Sequence, residues 1–198
     1  YSYINGFEVH RTYFAYARMR ELLSIDRVIG EIRPTIALPN CSPKAPTTDV
    51  CVAVGGEWSF RTYDHWLPIV QWLIDQGLSV TLVGSENGID KAEFLTGCIP
   101  SVQSTVGKLS LPEVIGQIAA GKVFIGADGG LWHIACAIPL PTVVLFADCQ
   151  IFDQEGKRVT RETTDMVCET LYDDDSVSKI PYTSVIEACG RLFSRIKL

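Results

Sequence analysis

An α/β fold is what this sequence predicts: a Rossmann-like parallel sheet flanked by helices. Three observations carry that expectation. Segments such as VCVAV from Val50, VFI from Val123 and PTVVLFA from Pro141 are apolar at nearly every position, as strands covered on both faces must be. Between them lie segments whose apolar residues recur at helical spacing, so strand and helix signals alternate. Glycines and prolines mark the junctions, where the chain has to turn.

Taken in order, residues 8–23 read as a helix, with Val9, Tyr13, Tyr16 or Ala17, Arg20 and Leu23 at helical intervals. The stretch from Glu31 to Asp49 holds Pro34, Pro39, Pro43 and Pro46. Proline fixes φ and removes a donor, so this is an extended linker with at most one edge strand, at Thr35–Leu38. A strand over 50–56 follows, then a helix over 64–77 with Trp66, Ile69, Val70, Leu73 and Ile74 on one face and Gly77 as its stop. Pro68 fits that helix if it lies in the first turn. A strand over 78–84, a short helix over 88–96 and an extended segment over 99–106 come next. The helix over 110–121 opens on Ser110 as N-cap with Pro112 and Glu113 in its first turn, and stops at Gly121. Strand KVFIG, a short helix over 129–138 and strand PTVVLFA complete the alternation. Residues from Asp148 to Lys179 read as a polar, acidic stretch, and Thr183–Ile196 as a closing amphipathic helix.

Composition excludes several classes. A formal net charge of −6 argues against a nucleic-acid partner, which would need a basic face. The seven cysteines are scattered without a C-x-x-C or a Cys/His cluster, so no metal site is indicated. They read as reduced thiols in a cytoplasmic protein. No apolar run reaches the length of a membrane span. The chain opens on Tyr1 without a first strand, which reads as a fragment or a processed product.

In a parallel sheet, ligands sit beyond the carboxyl ends of the strands. The informative loops are therefore Gly55–Tyr63, Gly84–Gly88 and Gly126–Gly130. In the last of these, Gly129 and Gly130 let a ligand oxygen approach the free N–H groups of a helix start, where phosphate binds. Asp128 has two compatible readings: an N-cap of that helix, or a carboxylate turned to a ligand hydroxyl. His133, one turn on, can donate to a phosphoryl oxygen or serve as a hydrogen-bonded core histidine. Trp132 is a packing residue. Arg61 can clamp a diphosphate, and Lys108 offers a second cation; solvated surface charges are the alternative for both. Glu86 reads as a surface acid, and the run from Tyr172 to Asp175 as a solvated one. Asp148 ends a strand as the ribose-binding acid of a dinucleotide site would. However, Asp128 stands where that fingerprint needs a second glycine, so a nicotinamide-dependent oxidoreductase is the weaker alternative.

The ordered set Gly107-Lys108-Leu109-Ser110-Leu111, Asp128-Gly129-Gly130-Leu131-Trp132-His133 and Pro141-Thr142, with Arg61 and Tyr63 upstream, resembles the glycosyltransferase family that includes the ADP-heptose:lipopolysaccharide heptosyltransferases. The family's pattern is G-K-x-S-L, then D-[ST]-G-x-x-H, then P-T. The chain departs from it in three places: Gly129 replaces a serine or threonine, Arg61 a lysine, and Ala147-Asp148-Cys149 a G-P-T. The likeness covers about 50–148, and more weakly 8–38.

The resemblance implies a GT-B architecture of two facing Rossmann-like domains. Residues 1–46 would be the end of the amino-terminal domain and the proline-rich linker, and 47–198 the nucleotide-sugar-binding domain with its carboxyl-terminal helix. Asp128, Gly129, Gly130, Leu131 and His133 would contact the diphosphate and sugar, Arg61 and Lys108 would supply positive charge, and Leu109 would line the base pocket. The catalytic acid would lie in the amino-terminal domain, so no catalytic residue is assigned here. No metal and no cofactor is implied: a nucleotide-diphosphate sugar, with ADP-heptose the first candidate, is the substrate. The acceptor would be a saccharide or lipid-linked saccharide of lipopolysaccharide biosynthesis, which leaves peripheral membrane association open, as oligomeric state is. The rival within the family is a degenerate, non-catalytic transferase domain that binds nucleotide or a partner.

Overall fold

The computed structural model describes residues 21–24, 36, 48–147 and 167–198. Its centre is a six-stranded sheet, and every pairing in it is parallel. The strands are β1 (Val50–Ala53), β2 (Val80–Val83), β3 (Gln103–Ser104), β4 (Val123–Ala127), β5 (Thr142–Ala147) and β6 (Cys168–Asp173). Helices α1 (Trp66–Asp75), α2 (Ile89–Cys98), α3 (Leu111–Ala119), α4 (Gly130–Ala137) and α5 (Tyr182–Ile196) cover it. Among the described residues, no helix is long and apolar enough to cross a membrane.

The reason for the apolar runs is visible in β1, where all four residues are buried. Side chains alternate across a strand. Val50 and Val52 therefore enter one core, with Val70 and Leu73 of α1, Leu95 of α2 and Leu192 of α5. Cys51 and Ala53 enter the other, with Ile118 of α3, Ala135 of α4 and Phe124 of β4. Burial pushes the Cys51 and Cys189 thiols up to about 12, so both act as small hydrophobes.

The strand order is β3-β2-β1-β4-β5-β6. The chain winds outward from β1 to β3, returns across β1, and winds the other way from β4 to β6. Direction thus reverses between β1 and β4, whose register sets Val50 beside Val123 and Val52 beside Ile125. Beyond the carboxyl ends of two such strands the sheet opens a crevice.

The local signals hold for α3: the Ser110 N–H and hydroxyl both donate to Glu113 Oε2 at 2.8 Å. Gly77 closes α1 with φ +80°, a left-handed conformation that glycine adopts freely. Two expectations need correction. The polar stretch before α5 is not irregular throughout, because Cys168–Asp173 forms β6 and pairs with β5 from Thr142–Cys168 to Ala147–Asp173. Every β6 residue is only partly buried, as suits an edge strand, and polar residues therefore interrupt its apolar signal. Tyr172 and Asp173 thus belong to a strand rather than to a solvated run. The extended segment over 99–106 contributes a two-residue strand, β3. Of the helix expected over 8–23, residues 21–23 are described and are helical. The remainder of that helix and the linker, with its edge strand, lie outside the described residues apart from Ile36, Thr48 and Asp49, as do Asp148 and Cys149.

Candidate functional site

Two loops meet at the switch point, one after β1 and one after β4. The first carries a short turn, Ser59–Arg61. The Arg61 N–H donates to the Trp58 carbonyl at 2.9 Å and the Thr62 N–H to the Ser59 carbonyl at 3.1 Å. The second loop is Asp128-Gly129, between β4 and α4. Arg61 Nη1 lies 3.4 Å from Asp128 Oδ2, with the arginine side chain 36% exposed and the aspartate 17%. His133 Nε2 stands 3.9 Å from Asp128 Oδ1. Two of the residues expected at a ligand site, Arg61 and His133, therefore flank the carboxylate of a third, Asp128.

Asp128 is not the N-cap. That position falls to Gly129, whose backbone is extended (φ 172°) and which provides no side-chain cap. The Asp128 carboxylate comes one residue too early to reach the first-turn N–H groups, and its backbone N–H extends the β4–β5 ladder to the Leu145 carbonyl at 2.8 Å. The side chain turns to Arg61 instead. This explains how a carboxylate can stand beside a helix start suited to anions: its charge is offset by a guanidinium, and the N–H groups of α4 are left clear of it.

The glycines of the two loops differ in cause. A Cβ on Gly55 would come within 2.5 Å of Asn87 Oδ1, and one on Gly56 within 2.6 Å of Thr62 Oγ1 and 2.8 Å of the Arg61 carbonyl. These positions are closed by the protein's own packing. A Cβ on Gly129 would meet nothing nearer than the Ala127 carbonyl at 3.9 Å, and one on Gly130 nothing within 4 Å. Neither residue has a left-handed φ. Among the described residues, nothing requires glycine at 129 or 130.

The arginine loop is held from behind by residues of which sequence reasoning singled out Tyr63 alone. The Ser178 hydroxyl donates to the Thr62 carbonyl at 2.8 Å and accepts from the Asp64 N–H at 3.1 Å. His65 Nε2 lies 3.0 Å from the Ser178 carbonyl, and the Tyr63 hydroxyl donates to the Ile180 carbonyl at 2.9 Å. Burial pushes the Tyr63 phenol up to about 12. Lys91 beside Asp64, with help from Ser178, holds that carboxyl below its ordinary range. No spacing rule could find Ser178, which lies 116 residues from Thr62.

The other expected residues are more dispersed. Lys108 is exposed and donates to the carbonyl of Ser104, at the end of β3, at 3.1 Å, rather than joining Arg61 and Asp128. Leu109 and Leu131 are partly buried against the same core, beneath α3 and α4. Trp132 is buried against Phe146, ring centroids 4.9 Å apart, as a packing residue should be. Glu86 is exposed in the turn after β2.

A doubly wound parallel sheet, with an arginine and a glycine-opened helix start at its switch point, defines a Rossmann-like domain. The family model for glycosyltransferase family 9 (heptosyltransferase) matches residues 42–153, and the chain belongs to that family. Lipopolysaccharide heptosyltransferase 2 of Escherichia coli (strain K12) is 29% identical over 87 residues, which is 41% of this chain and 25% of that protein. Lipopolysaccharide heptosyltransferase 3 of Escherichia coli is 31% identical over 93 residues, 44% of this chain and 27% of that protein. Among solved structures, the E. coli heptosyltransferase WaaC with ADP overlays with a TM-score of 0.71 at 17% identity, across 94% of this chain and 58% of that one. The E. coli ADP-heptose heptosyltransferase II gives 0.61 at 19% identity, across 78% and 49%. These likenesses bear on the fold. The matched stretch spans about a quarter of each of these curated relatives, and this chain about half of each solved structure.

Proposed function

We propose that this chain is the donor-binding half of a heptosyltransferase that moves a sugar from a nucleotide diphosphate to a saccharide acceptor. The observation that carries the reading is Gly130, where an added Cβ would meet no described residue within 4 Å, beside a half-buried Arg61 whose buried Nε has no hydrogen-bond partner among the described residues. The diphosphate would lie against the first-turn N–H groups of α4, with Arg61 bound bidentately and His133 donating from the side. Lys108 would swing from Ser104 to add a second cation. Asp128 would accept from a sugar hydroxyl while keeping Arg61 aimed. Leu109 and Leu131 would line the base pocket. Donors and cations fixed on the diphosphate stabilise the negative charge that grows on it as the sugar departs, and they need no metal ion to do so.

The names of the structural relatives support ADP-heptose as the first donor to test, since one was solved with ADP and another form of it with ADP-2-deoxy-2-fluoro heptose. The acceptor would be a lipid-linked saccharide at the inner, cytoplasmic face of a membrane, and the group that removes its proton would come from a domain facing the crevice. Calorimetry of the chain with ADP and UDP tests the reading. We expect saturable binding, tighter for ADP. No saturable heat with either nucleotide contradicts it.

A further inference from the structure

Trp58 is a large apolar side chain left 57% exposed in a turn that is otherwise pinned. Its carbonyl accepts from the Arg61 N–H at 2.9 Å and from the Thr62 hydroxyl at 2.9 Å. The backbone beneath the indole is thus fixed while the ring stays in solvent. The ring lies against Phe60, with centroids 6.2 Å apart and planes inclined by 39°. Phe60 in turn carries the Arg61 guanidinium over its face at 5.4 Å. Trp58, Phe60 and Arg61 form one continuous surface, from an open indole to the cation that pairs with Asp128.

A single exposed tryptophan needs no explanation by itself. This one differs because its surface ends at the candidate anion site, and because its backbone is ordered before any ligand arrives, which lowers the cost of binding. The sheet also separates two apolar flanks. Phe60 packs against the core of α1, α2 and α5, whereas Leu109 and Leu131 pack against the core of α3 and α4. A ligand whose diphosphate sits between Arg61 and Gly130 therefore has an aromatic flank at one end and an aliphatic one at the other. A nucleobase suits the leucines. The C–H face of a sugar ring suits the indole, with its hydroxyls within reach of charged groups such as Arg61 and Asp128.

Resting on the donor-binding reading above, we infer that Trp58, backed by Phe60, is the platform on which the sugar of the nucleotide sugar stacks. It sets affinity for the sugar and not for the nucleotide.

The test titrates ADP and ADP-heptose into wild type, Trp58→Ala and Trp58→Phe. The expected result is a roughly three- to tenfold loss of ADP-heptose affinity in Trp58→Ala. ADP binding stays within about twofold of wild type, and Trp58→Phe recovers most of the loss. Trp58→Ala binding both ligands as wild type does overturns the inference, and so does an equal loss for both, which would make Trp58 a shaper of the loop. A wild-type chain that binds neither ligand overturns the donor-binding reading first, and this inference with it. A wild type that binds ADP while Trp58→Ala leaves ADP-heptose unaffected overturns the inference alone.

Discussion

Gly55 and Gly56 on the loop after β1, and Gly129 and Gly130 on the loop after β4, are two glycine pairs at one switch point with opposite causes. The first pair is closed in, because any side chain there would strike Asn87, Thr62 or the Arg61 backbone. The second faces open space. The first pair serves folding by letting the arginine turn close on itself. The second has no packing role among the described residues, and that is what marks the helix start behind it as a surface open to something else. Identical residues thus report packing in one loop and a candidate ligand in the other, and only the neighbours distinguish them.

The largest expected effect comes from removing that distinction at its rigid end. Gly56→Ala places a methyl against the Arg61 carbonyl, which cannot rotate away, so the turn must shift. We expect a loss of about 1–3 kcal/mol in urea unfolding, with nucleotide binding weakened because Arg61 moves too. Unchanged stability would mean that the loop is not closed as described.

Next in size is the brace. Ser178→Ala removes the hydroxyl that ties Thr62 and Asp64 to the segment after β6. A cost of about 1–2 kcal/mol in unfolding is expected, together with weaker ADP binding although Ser178 does not line the crevice. Destabilisation without any change in affinity would show that the brace supports the fold but does not position Arg61.

The smallest effect lies far from the crevice. Asp49 accepts from the Ser79 N–H at 2.9 Å and pairs with Lys122 at 2.7 Å, joining the starts of β1 and β4 to β2. Lys122 and Ser79 hold its carboxyl down at about 2, from an ordinary 3.8. Because the folded value is the lower one, the stabilisation is complete above pH 3.8 and is lost as pH falls toward 2. It amounts to on the order of 1 kcal/mol after screening. Asp49→Asn should flatten that part of the acid unfolding curve and leave nucleotide binding alone.

Much of this was legible in the sequence, for reasons that differ by element. β1, β4 and β5 stand out because both of their faces are buried, and α3 because Ser110 and Glu113 form a local capping pair. β6 is not legible, since as an edge strand it is only partly buried and mixes Glu169 and Asp173 with its apolar residues. Arg61 and Asp128 could each be named from strand-end loops. Their meeting depends on β4 returning beside β1, which local patterns do not encode. The side chain of Asp128 was open between cap and ligand contact, and its pairing with Arg61 decides against the cap. Ser178 was beyond reach, because its role exists only once a segment far along the chain folds back onto the arginine loop.

The most direct measurement is the variant Gly130→Ala, followed by thermal unfolding and by ADP titration on the same preparation. A methyl group that meets no described atom within 4 Å should leave the melting temperature equal to wild type or slightly higher, while ADP affinity falls on the order of tenfold. A variant that melts much earlier, or one that binds ADP as tightly as wild type, contradicts the claim that this backbone position is kept bare for a diphosphate.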